Sequence, residues 1–323
     1  MRAITVNEYG PPETFVIQEH PDSPLKPDDV RIEVRGAGIS FIDLLLAQGK
    51  YQVQPPLPYI PGTEFAGVVE QAGEASALRA GDRVLSGAMG GGYGETCVVP
   101  SAAVRKMPHG MSFDHGAVFR VSYGTAYYAL VQRAGLKPDE TVLVLGAAGA
   151  VGTACVQVAK ALGATVIASA STEAKRALAR ECGADHVIET GAADWRDQIK
   201  ALTDGGGVDV VFDPVGGDLT ELAFRSLAWK GRHLVIGYAQ GTIPSLPVNL
   251  ALLKGASLVG VDVRQFGLYE ADLYDRNMDA LFHLYTDGKI NPPIAATYPL
   301  DDFRTAMRAV MDGTAVGRVV LTP

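Results

Sequence analysis

TVLVLGAAGAVGTACVQVAKALGATVIASASTEAK, residues 141–175, decides the fold. Residues 141–145 are a short apolar, β-rich run, which reads as a buried strand. Glycines follow at 146, 149 and 152, then a helical run to 162, then TVIASA, 165–170, as a second strand. A turn this tight needs residues without a bulky Cβ. It brings backbone N–H groups close to a bound pyrophosphate, and the positive end of the helix dipole attracts that charge. The plainer reading is that the glycines only let helix and strand pack closely, but the complete strand, turn, helix and strand favours a dinucleotide site. Residues 141–159 carry no charge and are long enough to cross a bilayer. The three glycines, the β-rich start and Lys160 instead favour strand, turn and helix, so no membrane association is expected.

Outward from this stretch the alternation continues. Helices are expected at 173–181, 194–202 and 218–228, and strands at 186–188, 208–212 and 233–237, with SLVGVDV (257–263) as a sixth strand. Strict alternation means a parallel sheet with helices on both faces, the doubly wound Rossmann arrangement. The first hundred residues differ: short alternating runs at 3–6, 30–34, 67–70, 83–85 and 96–99 are separated by Gly and Pro, and the Pro-rich 52–62 must be an extended loop. A polar helix at 270–288, a helix at 301–312 and a last strand at 318–321 are expected to return to this β-rich domain. The fold class is therefore α/β, with a Rossmann domain (123–264) inserted in a mainly β domain made of 1–122 and 265–323.

With 323 residues the chain suits two domains, and hydrophobic (47%) and charged (20%) fractions are those of a globular protein. Net charge is -8 with no basic run, which argues against nucleic acid as a partner. Cysteines 97, 155 and 182 are an odd number, far apart and in no C-x-x-C spacing, so neither a disulfide framework nor a zinc ribbon is expected and a reducing cytoplasm fits best. The N-terminus reads as a strand, not a signal peptide.

The cofactor's identity follows from the end of the second strand. An NAD site would place Asp or Glu there for the ribose 2'-hydroxyl. This chain has Ala168, Ser169, Ala170, Ser171 and Thr172, with Lys175 and Arg176 beyond Glu173. Hydroxyls and cations suit a 2'-phosphate, so NADPH is expected, with Ser171 and Lys175 as contacts. The alternative is that Lys175 and Arg176 are only the solvated face of a helix.

GAAGAVG, GTAYYAL (124–130), GISFIDLLLAQGKY (38–51), PGTEFAGVV (61–69), ADHVI (184–188), VDVVFDPVGG (208–217) and GRVVLTP (317–323) together resemble the zinc-independent quinone oxidoreductases, zeta-crystallin-like members of the medium-chain dehydrogenase/reductase superfamily. The resemblance covers essentially the whole chain. It implies a GroES-like β domain, a site in the cleft between domains, and hydride transfer from NADPH to a quinone or α,β-unsaturated carbonyl. In zinc relatives a ligand Cys and a ligand His stand where this chain has Ser40 and Thr63, so no metal is expected. By the same resemblance, Gly146, Ala148, Gly149, Ala150, Val151, Gly152, Thr125, Gly237, Arg318 and Ser40 are cofactor contacts, and Tyr51, Arg120 and Tyr123 face substrate. Tyr51 is the first choice for a functional side chain, because a phenol donates a proton at neutral pH; its alternative is a loop aromatic on the Pro-rich segment. Ser40, the other catalytic candidate, either offers its hydroxyl or caps the helix after it. Two residues depart from the family pattern: Ser40 replaces a common Asn, and Leu45 stands where some members have a second Tyr. Core packing is the competing role for Tyr123, and Arg120 either meets a polar substrate tail or pairs with an acid. Two other functions compete: an enoyl- or acryloyl-thioester reductase, and a crystallin-like or RNA-binding protein that keeps the nucleotide fold. The apolar strand 257–263, at the margin of the sheet, predicts a homodimer joined at that edge.

Overall fold

A computed structural model describes all residues, 1–323. The chain divides into two compact units, Met1–Val121 with Ile294–Pro323, and Ser122–Pro293.

The first unit opens with a hairpin-like pair, β1 (Arg2–Thr5) and β2 (Val16–Glu19). Next come β3 (Asp29–Gly38), the short helix α1 (Phe41–Ala47), β4 (Glu64–Ala72), β5 (Arg83–Gly87), β6 (Thr96–Pro100) and β7 (Val104–Lys106). The long β3 is the spine, since β4, β6 and the C-terminal strand of the chain all pair with it antiparallel. Alternation along β3 buries Val30, Ile32 and Val34 against Phe65, Val84 and Tyr93. Residues 52–62 form no regular helix or strand beyond one bridge at Tyr59, as their prolines require.

After α2 (Phe113–Gly116) and α3 (Arg120–Tyr127), a π-turn at Tyr128–Arg133 leads into the second unit's sheet. That sheet alternates β8 (Thr141–Leu145), α4 (Ala150–Ala161), β9 (Thr165–Ala170), α5 (Glu173–Glu181), β10 (His186–Glu189), α6 (Trp195–Leu202), β11 (Val208–Asp213), α7 (Leu219–Arg225), β12 (Leu227–Val235), α8 (Asn249–Lys254) and β13 (Ser257–Gly260). All pairs are parallel and the spatial order is β10-β9-β8-β11-β12-β13, the doubly wound order with its reversal between β8 and β11. The uncharged stretch 141–159 is thus strand, turn and helix, and no helix of the chain is long and apolar enough to cross a membrane.

Three expectations change here. The edge strand stops at Gly260, because Asp262 accepts from the Gln265 N–H at 3.0 Å and starts α9 (Val263–Tyr269). Next, α9 and α10 (Ala271–Thr286) pack in the second unit: Phe266 stacks on Tyr128 with centroids 4.0 Å apart, and Asn277 and Gln132 exchange two amide hydrogen bonds. The return to the first unit therefore falls at residue 294, not 265. Finally, that return brings a strand the sequence pattern did not suggest, β14 (Ile294–Pro299), ahead of α11 (Phe303–Met311) and β15 (Arg318–Thr322).

The turn after β8 leaves no room for a side chain at residue 152. At Gly152 a Cβ would sit 2.2 Å from the Gly146 carbonyl oxygen and 2.9 Å from the Ala147 Cα, both backbone atoms that cannot swing away. G152A is expected to destabilise the protein by about 2–4 kcal/mol, read as a lower urea midpoint with an unchanged slope. G267A, where the nearest atom to a Cβ is a Tyr274 ring carbon 3.7 Å away, is the control.

Candidate active site

The chain leaves β8 at Gly146, whose φ of +57° favours glycine. Its carbonyl accepts the Gly149 N–H at 2.9 Å. Gly149 then serves as the N-cap of α4 in extended conformation, and with no side chain it caps nothing. The first N–H groups of this twelve-residue helix, on Ala150, Val151 and Gly152, are left for a ligand, and the helix dipole makes that ligand an anion. Ala148 is buried, Ala150 and Val151 are half-buried and Gly149 is exposed, so the cradle opens outward at its glycine.

The neighbouring wall hangs on a carboxylate that ends β11. Asp213 accepts the Val215 and Gly216 N–H groups through Oδ1 (2.9 and 2.8 Å), and the Thr220 hydroxyl (2.8 Å) and His233 Nε2 (3.1 Å) through Oδ2. Burial works against its charge, but these donors prevail and hold its pKa below the usual carboxylate range. The loop 214–217 is thereby pinned beside the glycine turn, with a Val215 methyl 2.9 Å from where a Gly146 Cβ would lie. The Asp213 carbonyl accepts the Ile236 N–H at 3.0 Å and the Gly237 N–H at 3.4 Å, which brings Gly237 to the same ends of the strands. Sequence reasoning did not single out Asp213 or His233; the signal was an acid directly before the PVGG turn.

At the end of β9, Ser171 is exposed and Lys175 half-buried. Arg176 is otherwise engaged, with Nε 3.0 Å from Glu173 and NH1 3.2 Å from the Ala170 carbonyl. Hydrogen bonds from Arg180 and Arg176 lower the pKa of the Glu173 carboxyl, and Arg176 also lies 3.8 Å from Glu189, which pairs with Ala170 across the sheet, so both acids at this end are compensated. Ser169 is spent inside, 2.7 Å from the Thr190 hydroxyl and accepting from Trp195 Nε1 at 3.0 Å.

In the first unit a second buried carboxylate gathers side chains. Asp43 accepts from the Ser40 N–H (3.0 Å), the Ser40 hydroxyl (2.7 Å), the Thr63 N–H (2.8 Å) and the Tyr93 hydroxyl (3.0 Å). Ser40 is thus the N-cap of α1 in a reciprocal capping box, and its hydroxyl proton already has an acceptor. The two positions at which zinc relatives carry ligands, Ser40 and Thr63, here flank one aspartate. No three His, Cys, Asp or Glu side chains converge as a metal would need. The hydroxyls of Thr63 and Tyr59 are buried without a partner, and burial beside Asp43 raises the Tyr59 phenol.

The other candidates are spread out. Arg318 is buried and directed at Glu64 (3.5 Å), not at the surface, and its Nε has no partner. Glu64 also accepts the Val121 N–H at 2.7 Å. Arg120 donates to the Ala103 carbonyl and lies against Gly87. Tyr123, expected at substrate, is buried with its hydroxyl on Gln157 at 2.8 Å, and Gln157 in turn holds both the carbonyl and N–H of Asn291. Thr125 is buried too. Tyr51 stands half-buried in the loop that Gly49, at φ +66°, turns away from α1.

Two family descriptions match the chain: the alcohol dehydrogenase GroES-like domain over residues 26–109, and the zinc-binding dehydrogenase over residues 150–278. A quinone oxidoreductase-like protein 2 homolog of Nematostella vectensis is 37% identical, over 99% of this chain and 88% of its own length. A mycobacterial protein solved in complex with NADPH is 30% identical with TM-score 0.92, covering 100% of both chains. The Escherichia coli quinone oxidoreductase complexed with NADPH is 28% identical with TM-score 0.91, again over 100% of both chains.

Glu64 makes the first unit pH-sensitive. Burial pushes its carboxyl up to about 7, against the pull of Arg318 and of the Val121 N–H. Between its unfolded value of 4.5 and about 7, the native protein keeps a proton that the unfolded chain has released. The contribution of Glu64 to stability is therefore full below 4.5 and is lost as pH rises through this window, by about 3 kcal/mol. E64Q, neutral throughout, is expected to remove this component from urea midpoints measured between pH 5 and 8.

Proposed function

The chain belongs to the quinone oxidoreductase family of the medium-chain dehydrogenase/reductase superfamily, and from that premise we propose that it is an NADPH-dependent reductase of quinones or α,β-unsaturated carbonyls. The observation that carries this reading is the uncapped start of α4 behind Gly146, Gly149 and Gly152, joined to a second strand end that offers Ser171 and Lys175 in place of an acid. The N–H groups of Ala150, Val151 and Gly152 would hold the pyrophosphate, and Ser171 and Lys175 the 2'-phosphate. NADPH supplies a hydride at its nicotinamide. The loops anchored by Asp213, with Gly237, form the wall along which the rest of the dinucleotide lies.

Without a Lewis acid at Ser40 and Thr63, the acceptor must already be activated, as a quinone or enone is. A donor is then needed for the oxyanion or enolate that develops. Tyr51 is the side chain assigned to it, since it is half-buried on a loop while the Ser40 hydroxyl is committed to Asp43. Ser40 acts here as the cap that positions α1, and the Tyr51 loop after it, rather than as a group on the cofactor. A thioester enone is a second substrate class consistent with the same chemistry. The three buried thiols, Cys97, Cys155 and Cys182, form no disulfide, which fits a reducing compartment.

Steady-state kinetics with NADPH and NADH, against a panel of quinones, enones and acryloyl thioesters, tests the proposal. Efficiency is expected to be at least about tenfold higher with NADPH, and K175A to raise KM for NADPH about tenfold while leaving NADH unaffected. Y51F is expected to lower kcat with KM for NADPH unchanged. Equal use of NADH would end the 2'-phosphate assignment.

We also propose a homodimer through β13. This strand is the last of its sheet, so its outer edge lacks a partner, and around it Leu258, Leu252, Val248 and Trp229 are 52%, 81%, 87% and 71% exposed. An apolar edge of this kind is covered most simply by its own twofold copy. Sedimentation velocity at micromolar concentration is expected to show a dimer, and L252D/L258K a monomer that keeps its fold.

A further inference from the structure

A recess of about 370 Å³ lies at the opposite edge of the second unit's sheet from the glycine turn. It is lined by Gly205, Gly206 and Gly207, the residues that lead into β11, whereas the glycine turn follows the finish of β8. Because these strands are parallel, the two places are separated by a strand length, roughly 17–20 Å. The walls come from three helices: Arg196 and Lys200 of α6, Arg225 at the end of α7 and Lys254 at the end of α8.

The charge here is out of keeping with the chain. The protein carries a net -8, yet four cations line one recess with a single carboxylate, Asp197, among them. Arg225 is neutralised by Glu221 at 2.7 Å. Arg196, Lys200 and Lys254 make no ion pair. Lys254 donates to the Leu227 carbonyl at 2.7 Å, and Arg196 reaches the Arg225 carbonyl only at 3.5 Å, the limit of a hydrogen bond. Burial and the like charge of Arg196 both lower the pKa of the Lys254 ammonium, so an anion placed among these groups would relieve their repulsion. No atom lies within 4 Å of where a Gly205 Cβ would stand, so the recess is open on that side.

We propose that this recess is a second binding site, for a compact oxyanion of the phosphate class bearing at least two negative charges. The planar fork of Arg196 matches two oxygens of a phosphate, and the ammonium groups of Lys200 and Lys254 supply point charges to the others. The volume is at the small end for ligand pockets, which suits pyrophosphate or the phosphate end of a small phosphorylated molecule and not a dinucleotide.

Calorimetric titration of the full chain with pyrophosphate, at ionic strength matched with NaCl, tests this. It is run with and without saturating NADPH, whose own binding is read in the same instrument. One saturable site per chain is expected, unchanged by NADPH. R196Q/K200Q, both on the exposed side of α6, is expected to weaken it at least about tenfold while NADPH oxidation proceeds as in the parent. Absence of saturation overturns the proposal. So does loss of the signal when NADPH is present, which would assign pyrophosphate to the glycine turn. A double variant that titrates like the parent overturns it as well, and citrate binding as tightly as pyrophosphate overturns the phosphate class.

Discussion

The contact between Gly152 and the carbonyl of Gly146 is the constraint on which the second unit is built. Backbone meets backbone with no side chain between, so α4 starts within one turn of the end of β8 and points its positive end out of the strand edge. Place α4 there and the crossover to β9 follows, then the reversal of strand order between β8 and β11 that opens a crevice for a ligand. The fold and the phosphate cradle proposed for the start of α4 thus share one requirement, the absence of a Cβ at residue 152.

Carboxylates inside the protein do the finer positioning. Asp213 and Asp43 each accept four hydrogen bonds, and each ties a loop to a strand or helix end: the first holds residues 214–217, the second holds Ser40 and Thr63 together. A buried charge with that many donors is held firmly, and so are the groups that donate to it. Glu64 is the contrast. It has one N–H and a guanidinium at 3.5 Å, too little to offset its burial, and its proton affinity rises accordingly.

Much of this was legible in order along the chain. Strands at 141–145 and 165–170 and helices at 150–161 and 173–181 match their patterns closely, because a period of 3.6 or a continuous apolar run is a local property. Assignments that depended on where a side chain is spent fared differently. Arg318 and Tyr123 looked like ligand contacts, but one is drawn to Glu64 and the other to Gln157, partners 254 and 34 residues away. Residues 265–293 read as part of the β-rich domain by position alone, and it is the Phe266–Tyr128 stack and the Asn277–Gln132 amide pair that keep them with the sheet.

From the sequence by itself came the α/β class, the inserted nucleotide fold, the preference for a 2'-phosphate, and the want of zinc ligands at positions 40 and 63. The first three rest on residue type at a fixed spacing, and the last on what the family resemblance implies for those two positions. Only the tertiary structure could decide what residues distant in the chain do together: which carboxylate Ser40 and Thr63 share, and where the β-rich domain resumes. It also showed that Arg196, Lys200, Arg225 and Lys254 stand around one recess although no basic run exists in the chain. Charge interacts through space, falling off with distance between atoms and not with separation along the chain, and so a patch assembled from three helices leaves no mark on the sequence.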